Sequence, residues 1–535
     1  MQLTRRLLVG TALLFLAAGA APAAVFQYSA AVKGEKGDVP AFMWIPADAK
    51  QVRGVIMVGT TVMEKEFSKD PVIRKACGEQ QIAIILMKCG LGQTDLQKVL
   101  DDFAKVSGYR EMAVAPLFFL GHSAGGPPAH DCAVKYGERC FGVVQYRGGG
   151  PYDGDAVPAS VPSLAMLGQF DEYGGVMRRE GGRDVWVNFC DRVAGYRSKD
   201  ERRLASVVVE PGAGHFAWSE RNAPYLAMFI AKAAKARIPA SWRVDSAKPP
   251  TLLEIDPKSG WLTSLNLRSP GEGRPAAYEK YIGDKTTAAW HFDQEMAEAT
   301  AKYNIGYDKR DQFIKWKDPV WVDAGTRHFF TDLKWVGDGQ TLEVHPAYWD
   351  TYPANQPDGK GPKWLQAGQP VGHSKAPILV KQVVGPAVVA GPNTLRIEFD
   401  NISPASEGAK LNFMAYSVGD EEYRYTEQVG MTNRGFVALG GGKAQTITFP
   451  PVGNLKANAG PVELKATSDS GLKVEYYVGQ GPATIVGGKL QISELPARAT
   501  YPIEVKVVAY QFGSGVAPQV KTAAPVEQVI QIEKP

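Results

Sequence analysis

The run Leu117-Phe118-Phe119-Leu120-Gly121-His122-Ser123-Ala124-Gly125-Gly126 constrains this chain more than any other. An apolar strand ends in Gly-x-Ser-x-Gly, and a helix-compatible stretch from Pro127 to Tyr136 follows. So abrupt a reversal from strand to helix forces strained backbone angles on the serine and admits only small neighbours such as Gly121, Ala124, Gly125 and Gly126. Pro127 and Pro128 fall where a first helical turn tolerates a missing N–H. The pattern reads as a nucleophile elbow, with the Ser123 hydroxyl raised above a sheet.

A hydroxyl nucleophile needs a base, and the base needs an acid to fix its tautomer and stabilise its charge. In this arrangement they follow in the order serine, acid, histidine. Between Ser123 and residue 240 stand only His130 and His215. His130 lies two turns into the helix after Ser123 and points away from the active face, which gives it a structural or surface role. His215 ends the strand and loop Val207-Val208-Val209-Glu210-Pro211-Gly212-Ala213-Gly214, at the sheet edge where Ser123 emerges. It is the expected base. Ser163 to Gly168 is the preceding strand, and its loop offers Asp171 as the acid, with Glu172 as the alternative and Asp191 more remote. For an oxyanion the expected donors are the Ala124 N–H and, after Val55 to Gly59, Thr60 or Thr61 through amide or hydroxyl. His122 reads as a packing residue behind the nucleophile.

Strands and helices alternate over 24–240. The predicted strands are 41–45, 54–59, 82–88, 115–120, 142–146, 163–168 and 206–210, and Leu96, Val99, Leu100, Phe103 and Ala104 recur at helical spacing. Continuous apolar runs such as Ile82 to Met87 suit strands buried on both faces. On these residues the segment resembles the α/β-hydrolase family, with a doubly wound sheet. The resemblance implies acyl transfer through a covalent Ser123 ester, hydrolysis by water, and no metal or cofactor. The Ser-Ala-Gly-Gly form is also similar to secreted feruloyl and acetyl esterases and polyester depolymerases, which implies ester substrates, among them esterified polysaccharides.

The remainder divides into 241–375, an irregular linking or cap region with one helix expected near 286–303, a β-rich domain over 376–444, and an all-β sandwich over 445–535. Gln445 to Pro450, Leu464 to Val474 and Gly481 to Ile485 resemble a bacterial immunoglobulin-like module, a spacer or adhesion element in secreted proteins. The loop 495–501 departs from that pattern.

At the amino terminus Arg5-Arg6, an apolar stretch from Leu7 to Ala20 and Ala21-Pro22-Ala23 make a signal peptide over 1–23. The expectation is export to the periplasm, cell surface or medium, with no membrane span in the mature chain. Net charge is +4, or +2 without Arg5 and Arg6, which gives no reason to expect nucleic acid. The five cysteines, Cys77, Cys89, Cys132, Cys140 and Cys190, match no zinc or redox spacing; in an exported domain they allow a bridge among buried thiols. His291, His328, His345 and His373 lack paired ligand spacing. Tyr146, Tyr152, Phe170, Tyr173 and Trp218 are candidate substrate contacts. Two rival readings stay open: a serine peptidase using the same triad, and a surface or adhesion protein with a vestigial hydrolase domain. Substrate identity and oligomeric state are not specified by the residues.

Overall fold

The computed structural model describes residues 26–149, 156–169, 171, 185–245, 247–265, 274–303, 309–317, 334–351, 366, 368–406, 411–431 and 439–535, with backbone alone at 185–188 and 431. The expected leader, Tyr152, Phe170, Glu172, Tyr173 and His328 lie outside these residues.

Eight strands form the first sheet: β1 (Tyr28–Gly34), β2 (Gly37–Trp44), β3 (Gly54–Val58), β4 (Ile82–Met87), β5 (Leu117–His122), β6 (Cys140–Tyr146), β7 (Ser163–Gly168) and β8 (Ala205–Glu210). Their order is β1-β2-β4-β3-β5-β6-β7-β8. The first three neighbours pair antiparallel through β1-β2 and β2-β4, and the rest are parallel. Strands β3 to β8 are buried along their whole length, as their unbroken apolar runs require.

Alternation along each strand sorts the core into two layers. Val55 and Met57 of β3 join Val99, Leu100 and Phe103 of helix α3 (Leu96–Ser107), Ala129 and Ala133 of α4 (Gly126–Lys135) and Val193 of α5 (Val185–Lys199). Ile56 and Val58 turn the other way, toward Phe67 of α1 (Glu64–Lys69), Ile73 of α2 (Pro71–Glu79) and Leu226, Phe229 and Ile230 of α6 (Asn222–Arg237). Strand order, crossover helices and the strand-turn-helix at Ser123 are those of the α/β-hydrolase fold. The helix predicted from the spacing of Leu96 to Ala104 is present, capped by Asp95, whose carboxylate accepts from the amides of Gln97 and Lys98.

Chain beyond residue 240 first continues this domain. Trp261–Thr263 pairs with Ala276–Ala277 and with Ala289–His291, and α7 (Gln294–Tyr303) packs beside α6. The helix expected near 286–303 is therefore shorter at its start. Ala289–His291 is drawn into a strand by Trp261–Thr263, and the Asp293 carboxylate accepts from Met296 N and caps the helix there. Lys232 bridges Asp293 and Glu295 across the seam, and Tyr225 Oη meets Thr300 Oγ1 at 2.7 Å.

Small, mostly antiparallel sheets follow. Thr341–Glu343 pairs with Thr394–Ile397, and Leu379–Val384, Asn412–Ser417 and Thr426–Met431 form a three-stranded sheet. Last, a four-stranded sheet of Leu455–Lys456, Val526–Glu533, Ile503–Tyr510 and Glu475–Gln480 faces Val462–Glu463, Lys489–Ile492 and Ala483–Val486 across a core of Leu490, Val505, Val507 and Ile530. This is a β-sandwich arrangement. Its loop at 495–501 is docked on the hydrolase domain: Ala497 N donates to Ala47 O, and Arg498 pairs with Glu111 at 2.7 Å.

The bridge that export would allow is not formed. All five cysteine side chains are buried. Cys77 lies on α2 in one core layer and Cys89, Cys132, Cys140 and Cys190 in the other, where Cys140 donates to Gly142 O and Cys190 to Leu265 O. Among the described residues no helix is long and apolar enough to cross a membrane.

His291 yields a prediction about acid stability. It is buried, bonded through Nε2 to Thr263 Oγ1 at 2.8 Å, and burial, reinforced by Arg197 and opposed by Asp293, lowers its pKa to about 3. Because the folded value lies below the unfolded one, the unfolded chain takes up the proton first. Stability is complete above about pH 6.5 and falls as pH drops through the interval down to about 3. Thermal unfolding between pH 6.5 and 5 should show a declining midpoint, and His291→Gln should remove up to about 1.4 kcal/mol per pH unit of that slope. An unchanged slope in the variant would refute the assignment.

Candidate active site

Ser123 stands at the turn between β5 and α4 with φ at +55°, a left-handed conformation that L residues rarely adopt. The turn closes because Gly121 has no side chain: a Cβ there would stand 1.9 Å from Gly125 O. Ser123 is half-buried and Ala124 exposed, so the elbow opens at the surface at the carboxyl edge of the sheet.

His215 and Asp171 come together there from the loops after β8 and β7. His215 Nδ1 lies 2.9 Å from Asp171 Oδ1 and 3.0 Å from Oδ2, and both residues are buried. A carboxylate at Nδ1 favours the tautomer protonated on that nitrogen, which makes Nε2 the basic one. The ring of His215 packs 4.7 Å from that of His122, the residue preceding Ser123, so the loop carrying His215 lies against the elbow. His130 is buried on α4, consistent with packing.

His122 does more than fill space. Its Nε2 lies 3.1 Å from His215 O, which accepts the N–H and leaves Nδ1 bare. Burial, aided by the nearby His215 and Arg147, holds this imidazole well below the ordinary histidine range. A neutral His122 therefore braces the backbone of His215.

Thr60 and Thr61 stand beside the elbow, but neither amide points to it. Thr60 N donates to Cys89 O at 3.1 Å, and its hydroxyl donates to Met87 O. Thr61 N donates to Glu64 Oε2 at 2.9 Å. What remains is the Thr61 hydroxyl, whose Oγ1 is 2.8 Å from where a Cβ on Gly125 would stand. Ala124 N–H heads the single helical turn 123–125 and has no acceptor within it.

Glu64, which the sequence reading passed over, organises this corner. Its buried carboxylate accepts from Thr61 N, Val62 N at 2.8 Å and His122 N at 3.0 Å. Burial pushes its pKa up, against the pull of those amides. The one signal in the sequence was an acid three residues after Thr61, a spacing that also fits an exposed first helical turn.

A second unforeseen feature reaches across the chain. Gln169 Oε1 accepts from Gly212 N at 2.9 Å and from Arg424 Nη1 at 2.6 Å, joining the Asp171 loop, the His215 loop and the β region. Gly212 has φ at +75°, and a Cβ there would stand 1.8 Å from Tyr425 O, so the β region is seated directly on the histidine loop. Beneath, Arg147 and Glu210 form a fully buried ion pair. Tyr146, expected as an exposed contact, is core: it packs against His122 and donates to Ala217 O. Its place at the end of buried β6 leaves the ring no outward path. Trp218 is half-buried, with Nε1 3.3 Å from Asp70 Oδ2. Among the described residues no group of three or more His, Cys, Asp or Glu side chains is placed to hold a metal.

The chain matches no protein-family model and no curated protein sequence. Among solved structures it is similar to an esterase from Pyrobaculum calidifontis, at 13% identity over 39% of this chain and 84% of that one, with a TM-score of 0.27. It is also similar to a poly(3-hydroxybutyrate) depolymerase from Bordetella parapertussis, at 13% identity, 41% and 93% coverage and a TM-score of 0.28. An S-formylglutathione hydrolase from Agrobacterium tumefaciens is similar at 14% identity, 39% and 93% coverage and a TM-score of 0.29.

Glu64→Ala would leave three backbone donors without an acceptor. At about 1–3 kcal/mol for each buried group left unpaired, the loss should reach roughly 3 kcal/mol or more. Glu64→Gln, which keeps an acceptor, should lose less. Denaturant titration of both variants checks this ordering, and equal stabilities would contradict it.

Proposed function

We propose that this protein is a serine carboxylester hydrolase working through an acyl-enzyme, with Ser123 as nucleophile, His215 as base and Asp171 as its orienting acid. The observation that carries the reading is the Asp171–His215 hydrogen bond set beside a serine held at positive φ on a strand-turn-helix. In the first step His215 Nε2 takes the Ser123 proton as Oγ attacks the ester carbonyl. The tetrahedral oxyanion is met by the Ala124 N–H and the Thr61 hydroxyl. Collapse expels the alcohol, which receives the proton from His215. Water, deprotonated by the same histidine, then releases the acid and restores Ser123.

The leader-like residues 1–23 support export, and export with an attached β region supports a substrate outside the cell, with esterified polysaccharide as the working candidate. Glu172, the alternative acid, stays a candidate on its position in the sequence alone.

Hydrolysis of p-nitrophenyl acetate and longer esters tests this reading. Wild type should turn over and react with a serine-directed phosphonate, while Ser123→Ala does neither; an inert wild type would refute it, and turnover of peptide anilides in preference to esters would transfer the assignment to a peptidase. Thr61→Val should lower kcat by roughly 10²–10³ with a smaller change in KM, and Thr61→Ser should retain most activity. If the Thr61 hydroxyl takes no part, Thr61→Val will be nearly silent.

Arg424 should behave as a positioning residue. Its loss leaves Gln169 with one partner and frees the contact between the two catalytic loops. Arg424→Met is expected to lower kcat about tenfold, the scale of one charge-assisted hydrogen bond, and to move the acid limb of the pH–rate profile, with partial rescue in Arg424→Lys. A lowered Tm with an unmoved pH profile would mark a purely structural role.

A further inference from the structure

The loop that carries His215 has a second face. Beyond the catalytic histidine it runs through Trp218 to Arg221 and there borders a cleft of about 300 Å³ whose opposite wall is the β region. None of Ser123, Asp171 and His215 lines this cleft. Its composition is unusual for a gap between packed units. The walls carry the rings of Trp218, Tyr416 and Tyr425, and the rim carries Leu379 and Val418, which are 40% and 62% exposed. Four cations face it, Arg221, Lys309, Lys381 and Arg424, against one lining carboxylate, Glu220.

Two of those cations are already matched in charge. Arg424 pairs with Asp311, and Arg221 reaches Glu210 at 3.8 Å. The two lysines make no direct ion pair with a described carboxylate, although Asp420 lies near Lys309 and Glu427 near Lys381. Lys309 Nζ donates to Asp420 O at 2.6 Å and Lys381 Nζ to Trp218 O at 2.9 Å, both neutral backbone carbonyls. Each ammonium has three N–H donors, so each keeps donors to offer. Lys381 also stands 5.4 Å from the centre of the Tyr416 ring, which fixes its head at the aromatic wall. Burial draws its pKa below the ordinary lysine range, although Glu427, Glu66 and Glu210 pull it back up. An anion in the cleft would relieve that cost of burial.

We infer that this interdomain cleft is a binding site for a ring-shaped ligand bearing a carboxylate, the ring held between Trp218 and Tyr416 and the anion taken by Lys381 and Lys309. The volume lies at the lower end of small-molecule sites, roughly 300–1,000 Å³, which admits a single ring. The aromatic walls accept the apolar face of either a sugar or an aromatic acid, and the lysines discriminate for the charge. An acidic sugar and an aromatic carboxylate share this chemistry. The inference does not depend on the esterase reading, since the site is separate from the triad.

Calorimetric titration of full-length Ser123→Ala protein tests it, with glucuronate, glucose, benzoate and benzyl alcohol as probes. The expected result is saturable binding of one or both carboxylates at least tenfold tighter than the neutral ring of the same shape, with the preferred carboxylate identifying the ligand's source. Lys381→Met should weaken that binding by about 10–100-fold, the scale of a hydrogen bond to a charged group, and Lys381→Arg should restore part of it. Lys309→Met, farther out in the cleft, should weaken it by a smaller factor and serves as the second variant if Lys381→Met fails to fold. Absence of binding by either carboxylate, equal affinity for the neutral rings, or carboxylate affinity untouched by the lysine variants would overturn the inference. Ester hydrolysis by wild type without carboxylate binding would remove this site and leave the esterase standing. Binding with an inert wild type would do the reverse.

Discussion

Everything about the candidate site follows from the closeness of two pieces of backbone. The chain after Ser123 folds back so sharply that Gly125 O occupies the space a side chain on Gly121 would need, and Ser123 takes a left-handed φ as a result. Such a conformation costs on the order of 1–3 kcal/mol and persists only where its surroundings determine it fully. Here they do. β5 lies between β3 and β6 in the middle of the sheet, and its residues are buried to the last. Glu64 then ties the amide of His122 to those of Thr61 and Val62, so the strand end and the neighbouring loop cannot shift independently.

His215 and Asp171 are held from the far side. Gln169, two residues before Asp171, shares one oxygen between Gly212 of the histidine loop and Arg424 of the β region. The carbonyl of Tyr425 rests where a side chain on residue 212 would be. Contacts this close make the β region part of the framework around the site. Orientation of a catalytic pair is sensitive to displacements of about an ångström, so a unit seated on both loops bears on the chemistry without touching a substrate.

Much of this was legible in the sequence because it is written in local patterns. The apolar runs of β3 to β8, the spacing of Leu96 to Ala104 and the Gly-x-Ser-x-Gly turn each carry their own period or stereochemical signature. β1 escaped because only Tyr28 and Val32 of Tyr28 to Gly34 are buried beside a polar hairpin, and α7 was drawn too long because Ala289–His291 becomes a strand only through its partner Trp261–Thr263. The Thr60 and Thr61 amides were offered as oxyanion donors on position in the loop. Which acceptor an amide finds is a tertiary fact, and here Cys89 O and Glu64 claim both. The link between Gln169 and Arg424 spans 255 positions and has no local trace at all. Tyr146 looked available because aromatic residues near catalytic loops serve binding and packing alike, and only the closure of β6 against His122 decides between them.

The buried pair of Arg147 and Glu210 completes the electrostatics of the histidine loop. A Cβ on Gly168 would lie 2.6 Å from both Arg147 Nη1 and Gly214 O, which places the guanidinium just beneath the loop that carries His215. An unpaired cation there would oppose the imidazolium that the proposed acyl transfer would form on His215, because repulsion inside a protein is screened far less than in water. Glu210 cancels it. Although burial disfavours both charges, each holds the other ionised: Glu210 is kept low by Arg147 and Arg221, and Arg147 is held charged by Glu210. Breaking such a pair from one side strands a buried charge, at a cost of about 3–5 kcal/mol. With His122 held neutral and this pair balanced, the Asp171 carboxyl is the acidic group in direct contact with His215 Nδ1. That is the arrangement a base needs if the proton it accepts is to be stabilised where it arrives.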